Sequence, residues 1–465
     1  MDKKINLNRA LGITSVIVIV VSNVLGSGVY KKIAPMAAEL GSSSWVLTAW
    51  IVGGIVSLFG ALCNAEIAGL LAETGGEYSY YKKIYNKFFA FLYGWSLFSV
   101  IQTAAVASLA YVFSQSLNSV LNLPQLFPEL QHFSIFGIFM PFENFSVKLI
   151  AILLIIVLTF VNSRGVQSVA KLSNVLLTLV FIGIGLIIIF GLSSSQSHLD
   201  TILISAKSVK PVTISAFLTA MLAAFWAYQG WSSIGFIGGE IKDASKNIPR
   251  GITIGLLTVI GIYIVVNTTY LSLLSIDELT AINAAGNQIA AVKAVSVFWG
   301  KNGVIFISIL ILITTLGCTH ATIMSSCRAY FAMAKEGMFF KSVAVLNKNQ
   351  APQNALIYSG IWSCLLVLSG TFDQLTDMII FAVYIFYGAT AYGVFVLRKK
   401  MPTAVRPYKV WGYPFVPAFF VLFCMALFAN TIMSKPREAA FGIVLILTGV
   451  PFYFWFKSKN KKTQE

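Results

Sequence analysis

Val20-Val21-Ser22-Asn23-Val24-Leu25-Gly26-Ser27-Gly28-Val29 puts two glycines in the middle of the chain's first long apolar run. A helix that only anchors a protein in lipid gains nothing from them, since each costs about 1 kcal/mol relative to Ala. Unwound backbone at membrane depth leaves bare N–H and C=O groups, which persist only where they line a cavity or bind something. A second interruption, Tyr228-Gln229-Gly230-Trp231-Ser232-Ser233, follows some two hundred residues later. Two broken helices in corresponding positions of two halves point to the binding site of a membrane carrier.

Composition agrees with a membrane location. Of 465 residues, 57% are hydrophobic and 11% charged, against about 25% charged in soluble domains. The five cysteines (Cys63, Cys318, Cys327, Cys364, Cys424) lie in apolar stretches, so no disulfide framework is expected. Lys3, Lys4 and Arg9 precede the first apolar run without a cleavage pattern, so that run is expected to stay in the mature chain. The formal charge of +16 is spread among loops rather than gathered on one module, which argues against nucleic acid as a partner.

Apolar runs near the roughly 20 residues needed to cross a bilayer predict twelve spans. They are 12–39 (broken), 44–71, 89–117, 147–163, 170–193, 213–239 (broken), 251–274, 303–333, 354–370, 373–397, 413–433 and 438–456. Segment 278–300 is too polar to span and reads as an outside loop with short helices. With the N-terminus inside, 24 of the 33 Lys and Arg residues fall in inside segments. The positive-inside rule then places both termini in the cytoplasm. The breaks in spans one and six are five helices apart, as inverted repeats require. The expected division is 1–194 (spans one to five), 195–400 (six to ten) and 401–465 (the last two spans and a cytoplasmic tail).

Four stretches carry a resemblance: GSGV in span one, AEIAGLLAETGGEYSYYKK after span two, FWAYQGWSSIGFIGGEIKDASKNIPRG through span six, and RPYKVWGYPFVP at 406–417. Together they resemble the amino acid–polyamine–organocation superfamily, most closely its L-type amino acid transporter branch. The resemblance covers nearly the whole chain. It implies an all-α plasma-membrane protein of LeuT-like fold, with broken helices one and six and alternating access.

An amino acid zwitterion needs acceptors for its ammonium and donors for its carboxylate at a depth where ionised side chains are expensive. The half-helix after Gly26 aims its N–H groups and positive dipole end at a carboxylate. Glycine at 26 and 28 removes the Cβ atoms that would hold it away. By the resemblance, the carboxylate sits on the N–H groups of Ser27 and Gly28, and the ammonium meets carbonyls of Val24, Trp226, Ala227 and Gln229. Trp226 falls where the family places an aromatic gate. Tyr228, Trp231 and Tyr111 read first as core. No Asp or Glu lies at the centre of a span: Glu66 and Glu240 are at inside ends, Asp373 and Asp377 at an outside end. That favours neutral substrates, although cation–π contact can replace a carboxylate.

The family's fifth-span lysine, which substitutes for sodium, is missing. Its place falls on Val180, while Lys171 lies about 13 Å away along a helix. Exchange without an ion, Na⁺ held by span-eight hydroxyls (Thr319, Thr322, Ser325, Ser326), and titration of His320 all stay open. The hydroxyls have a blander reading as bonds to their own helix. Lys31 and Lys32 read as solvated charges at the mouth. Residues 118–146 contain no cysteine for a disulfide-linked heavy chain, so a monomer or weak homo-oligomer in lipid is expected. Nothing calls for a cofactor or a resident metal. A channel would need a continuous polar stripe or charged rings. An enzyme would need acid pairs, nucleophile–base pairs or ligand clusters, and the three His are scattered. A polyamine or other organocation substrate is the nearer alternative.

Overall fold

Among the described residues, ten helices are long and apolar enough to cross a membrane. The computed structural model describes residues 11–72, 75–135, 139–164, 167–204, 211–286, 288–349, 351–370 and 372–464. Lys3, Lys4, Arg9 and the Gly165–Val166 pair lie outside them. Two predicted spans fall short of full length: Gln353–Ser369 has 17 residues, and Ile214–Tyr228 has 15 before its break. Segment 278–300 holds a short helix, Ile276–Ala285, and the start of a second that kinks at Gly300, where φ is +56°. The first of these begins at a capping box between Ser275 and Glu278, two orphan donors satisfied reciprocally.

Span one is helical over Ile13–Val24, loses helical geometry at Leu25 (ψ 82°), and resumes at Gly28–Lys31 and Ile33–Leu40. Span six stops at Tyr228, where Gln229 turns extended and Gly230 takes φ +121°. A tight 3₁₀ segment, Trp231–Glu240, continues from there. Both interruptions therefore fall where glycine was read as breaking the helix.

Span three runs from Lys87 to Leu121 with one π turn at Leu97–Ile101. Thr103 Oγ1 donates to Phe98 O, 2.7 Å away and five residues back. Such turns hold one extra residue and recur at functional sites. Span three is the most enclosed span, with 89% of its apolar window buried, and Pro436–Lys459 the least, with 28%. The site must therefore be sought along spans one, three and six rather than at the rim.

The 406–417 stretch has a structural role at the end of span two. Glu66 receives Arg398 Nε and Nη2 at 2.9 and 2.7 Å and the Val410 N–H at 2.6 Å, with Arg406 Nε at 3.3 Å. One carboxylate thus ties span two (Ser43–Leu70) to span ten (Phe372–Lys400) and to the loop before span eleven (Phe415–Ser434).

Candidate functional site

The two breaks touch. A Cβ on Gly28 would lie 2.4 Å from Ala227 Cα, and a Cβ on Gly230 would lie 2.5 Å from Asn23 O. Glycine at these positions lets the backbones of spans one and six meet without side chains between them. Gly26 is under less pressure, since its Cβ would meet Cys318 Sγ at 3.1 Å.

A small cleft opens beside the contact. Val24, Gly26, Ser27, Gly28, Trp226 and Gln229 line it, as do Asn23, Gly230 and Ser233 from the same breaks. Gln102, Ala105 and Leu109 enter from span three, and Cys318 and Thr322 from span eight. Among the described residues, no Asp, Glu, Lys or Arg is in the lining. Ala227 stands behind it, packed on Gly28. The wall is small and neutral, and its charge comes from helix ends.

Two carbonyls read as ammonium acceptors already share one donor. Tyr263 OH reaches Val24 O at 2.9 Å and Ala227 O at 3.1 Å. Each carbonyl keeps a second lone pair for a ligand. Tyr263 lies within a 30-residue helix, Ala244–Leu273, and nothing local in the sequence separates it from core tyrosines. Gln102 was also missed, although an amide in a span is a signal in itself. Tyr263→Phe should raise the substrate KM about fivefold to tenfold, the effect of unmaking a buried hydrogen bond. Initial uptake rates across substrate concentration check it, and an unchanged KM removes Tyr263 from the site.

Trp226 covers the cleft. Its Nε1 donates to Ser27 Oγ at 3.2 Å, and its ring meets Phe372 edge-on at 5.9 Å between centroids. Lys31 and Lys32 lie over the same Phe372 ring at 4.6 and 4.7 Å. These lysines are buried rather than solvated, contrary to the sequence reading. Lys31 Nζ donates to Gln115 Oε1 at 2.9 Å, and Lys32 Nζ to Asp373 and Thr376, both at 2.6 Å. The partner carboxylate lies 341 residues away in sequence, so a local reading could not supply it. At the lysine- and arginine-rich end, Arg328 Nε meets Glu240 Oε1 at 2.7 Å, and Leu11 N donates to Glu240 O. An ion pair thus lies beyond each break, Lys32 with Asp373 past that of span one and Arg328 with Glu240 past that of span six.

Of the other candidates, Thr322 is in the cleft lining and the rest are not among the described residues that line it. Thr319, Thr322, Ser325 and Ser326 donate to carbonyls three or four residues back in their own helix. His320 Nδ1 is 2.8 Å from Asn162 Nδ2 of span four, which makes Nδ1 the acceptor. Val180 is buried. Tyr228 OH donates to Trp50 O, Trp231 packs at a tilt against Tyr387, and Tyr111 is enclosed, all core positions.

Residues 11–456 match the family model described as "Amino acid permease". The chain is 29% identical over 461 residues to the serine/threonine exchanger SteT of Bacillus subtilis, covering 98% of each. It is 30% identical over 457 residues to the human large neutral amino acids transporter small subunit 2, covering 96% of this chain and 80% of that one. The mouse b(0,+)-type amino acid transporter 1 is 27% identical over 458 residues, covering 98% and 89%.

Proposed function

Because the chain belongs to the amino acid permease family, a family of multi-pass membrane transporters rather than enzymes, we propose that it moves neutral L-amino acids across the plasma membrane. It works by alternating access, as an exchanger or a proton-linked carrier. The observation that carries this reading is the neutral cleft at two touching helix breaks. An α-amino acid there would set its carboxylate on the N–H groups of Ser27 and Gly28, at the start of the half-helix. Its ammonium would take the free lone pairs of the Val24, Trp226, Ala227 and Gln229 carbonyls. With the charged ends held by backbone, Gln102, Ser233, Cys318 and Thr322 are left to face the side chain.

Twelve spans in two inverted repeats, 1–194 and 195–400, followed by 401–465, fit the placement of the breaks. The charge pattern supports cytoplasmic termini. Rocking of the two halves would then exchange the outer pair, Lys32 with Asp373, for the inner pair, Arg328 with Glu240. The relatives, amino acid transporters and exchangers by name, support amino acids as cargo.

Uptake of a labelled amino acid panel into proteoliposomes, with and without internal substrate, sodium and a pH gradient, tests the reading. Failure to move any neutral amino acid sinks it. In the same assay Trp226→Ala should slow turnover about tenfold, by removing the ring that spans Ser27 and Phe372, an effect of about 1.4 kcal/mol. Wild-type turnover would deny it a gating role.

A further inference from the structure

We propose that Glu77 is the proton-binding residue of the inner gate, joined to the cleft by a chain of hydroxyls and delivering its proton to the cytoplasm when that gate opens. This rests on the transport reading above and names the residue that links transport to protons.

Glu77 begins the helix Glu77–Ile84 between spans two and three, and none of it is exposed. Asn64 of span two donates to Glu77 Oε1 at 2.9 Å. The hydroxyls of Ser232 and Tyr93 lie alongside the carboxylate, yet neither Glu77 Oε2 nor Asn64 Oδ1 closes a hydrogen bond. Two neighbouring buried acceptors without a donor form a site short of one proton.

The surroundings hold no counter-charge among the described residues. Asn64 faces Glu77 from span two, Tyr93 from span three, Ser232 from span six, Tyr387 from span ten and Tyr81 from its own helix. Several charged groups nearby are engaged elsewhere. Glu66 holds Arg398 and Arg406, Glu240 holds Arg328, and Glu336 holds Lys82 and Tyr78. A carboxylate enclosed without a cation takes up a proton instead of staying charged. Burial pushes the Glu77 carboxyl up to about 7, opposed by the dipoles of its own N–H, Ser232, Tyr93 and Asn64.

A path leads from the cleft to this group. Gln229, in the cleft wall, lies beside the Tyr387 hydroxyl. Tyr387 OH is 3.1 Å from Ser232 Oγ, and Ser232 adjoins Glu77. Both hydroxyls donate and accept. In a concerted shift, an O–H bond forms on Glu77 as Ser232 gives up its hydrogen. Ser232 regains one from Tyr387, and Tyr387 regains one from a hydronium ion that enters by the open cleft past Gln229 and is left as water. One proton enters and none is left over. His320 has no place on this path.

The sign follows from burial. The closed gate holds the proton up to about pH 7, whereas a hydrated glutamate releases it near 4.3. The preference for the closed gate is therefore complete below the ordinary value and is lost as pH rises through about 7. An acidic exterior loads the site, and opening towards a neutral cytoplasm unloads it.

The test uses the full chain in proteoliposomes with a trapped pH dye and labelled L-serine, L-threonine and L-leucine. Adding substrate outside should acidify the lumen, and an inward acid gradient should raise uptake severalfold. Glu77→Gln should abolish both effects, leaving counterflow that no longer changes with pH. Tyr387→Phe should slow lumenal acidification about tenfold. Counterflow in the wild type without lumenal acidification overturns the role of Glu77 and leaves amino acid transport standing, however the variants insert. An unaltered acid response in Glu77→Gln overturns it equally. Absence of any counterflow takes both readings down.

Discussion

Gly28→Ala reduces amino acid uptake towards background although the protein still inserts. The single added carbon lies 2.4 Å from Ala227 Cα and 2.5 Å from Ala227 Cβ. Both belong to the facing break, so no flexible side-chain end can swing aside. Overpacking of this kind costs about 1–3 kcal/mol, and here it falls on the contact that brings the N–H groups of span one to the cleft. Uptake should drop about tenfold to a hundredfold, and Gly28→Leu should remove it altogether. Substrate-induced thermal shifts separate lost binding from lost insertion. Normal affinity in Gly28→Ala would contradict the placement of the carboxylate. Gly26→Ala is the contrast: its carbon meets Cys318 Sγ at 3.1 Å, a contact that a small side-chain shift relieves.

Glu66→Gln has its effect on stability. Glu66 is 3% exposed and is paired with Arg398 and Arg406, which are 23% and 7% exposed. Removing its charge leaves two guanidinium groups without a carboxylate and weakens the acceptor of the Val410 N–H. Stripping one partner from a buried pair costs about 3–5 kcal/mol, and hydration of Arg398 favours the lower end. In detergent the melting temperature should fall by roughly 5 °C. An unchanged midpoint would mean that the clasp holds no net energy.

The breaks could be read from sequence because their cause is local: glycine in an apolar run has few other uses. The charge pattern and the length of the apolar runs were legible for the same reason. Contacts between distant segments were not. Lys31 and Lys32 looked like a solvated pair, because the Asp373 and Phe372 that cover them come from span ten. Tyr263 is one apolar-helix tyrosine among many until Val24 and Ala227 are set before its hydroxyl. Glu77 lies inside a stretch quoted for its resemblance, yet its isolation from cations comes from four surrounding elements. The 406–417 stretch was noticed as a motif, but its purpose needed Glu66 at the end of span two.

The surplus residue in the π turn of span three, Leu97–Ile101, has a geometric corollary. Each residue advances an α-helix by about 100°, so absorbing that surplus would swivel everything beyond it by the same angle. Gln102, Ala105 and Leu109, which now present themselves to the cleft, would be carried round to another face. The same change would also shift the part beyond it by about 1.5 Å along the axis, the rise of one residue.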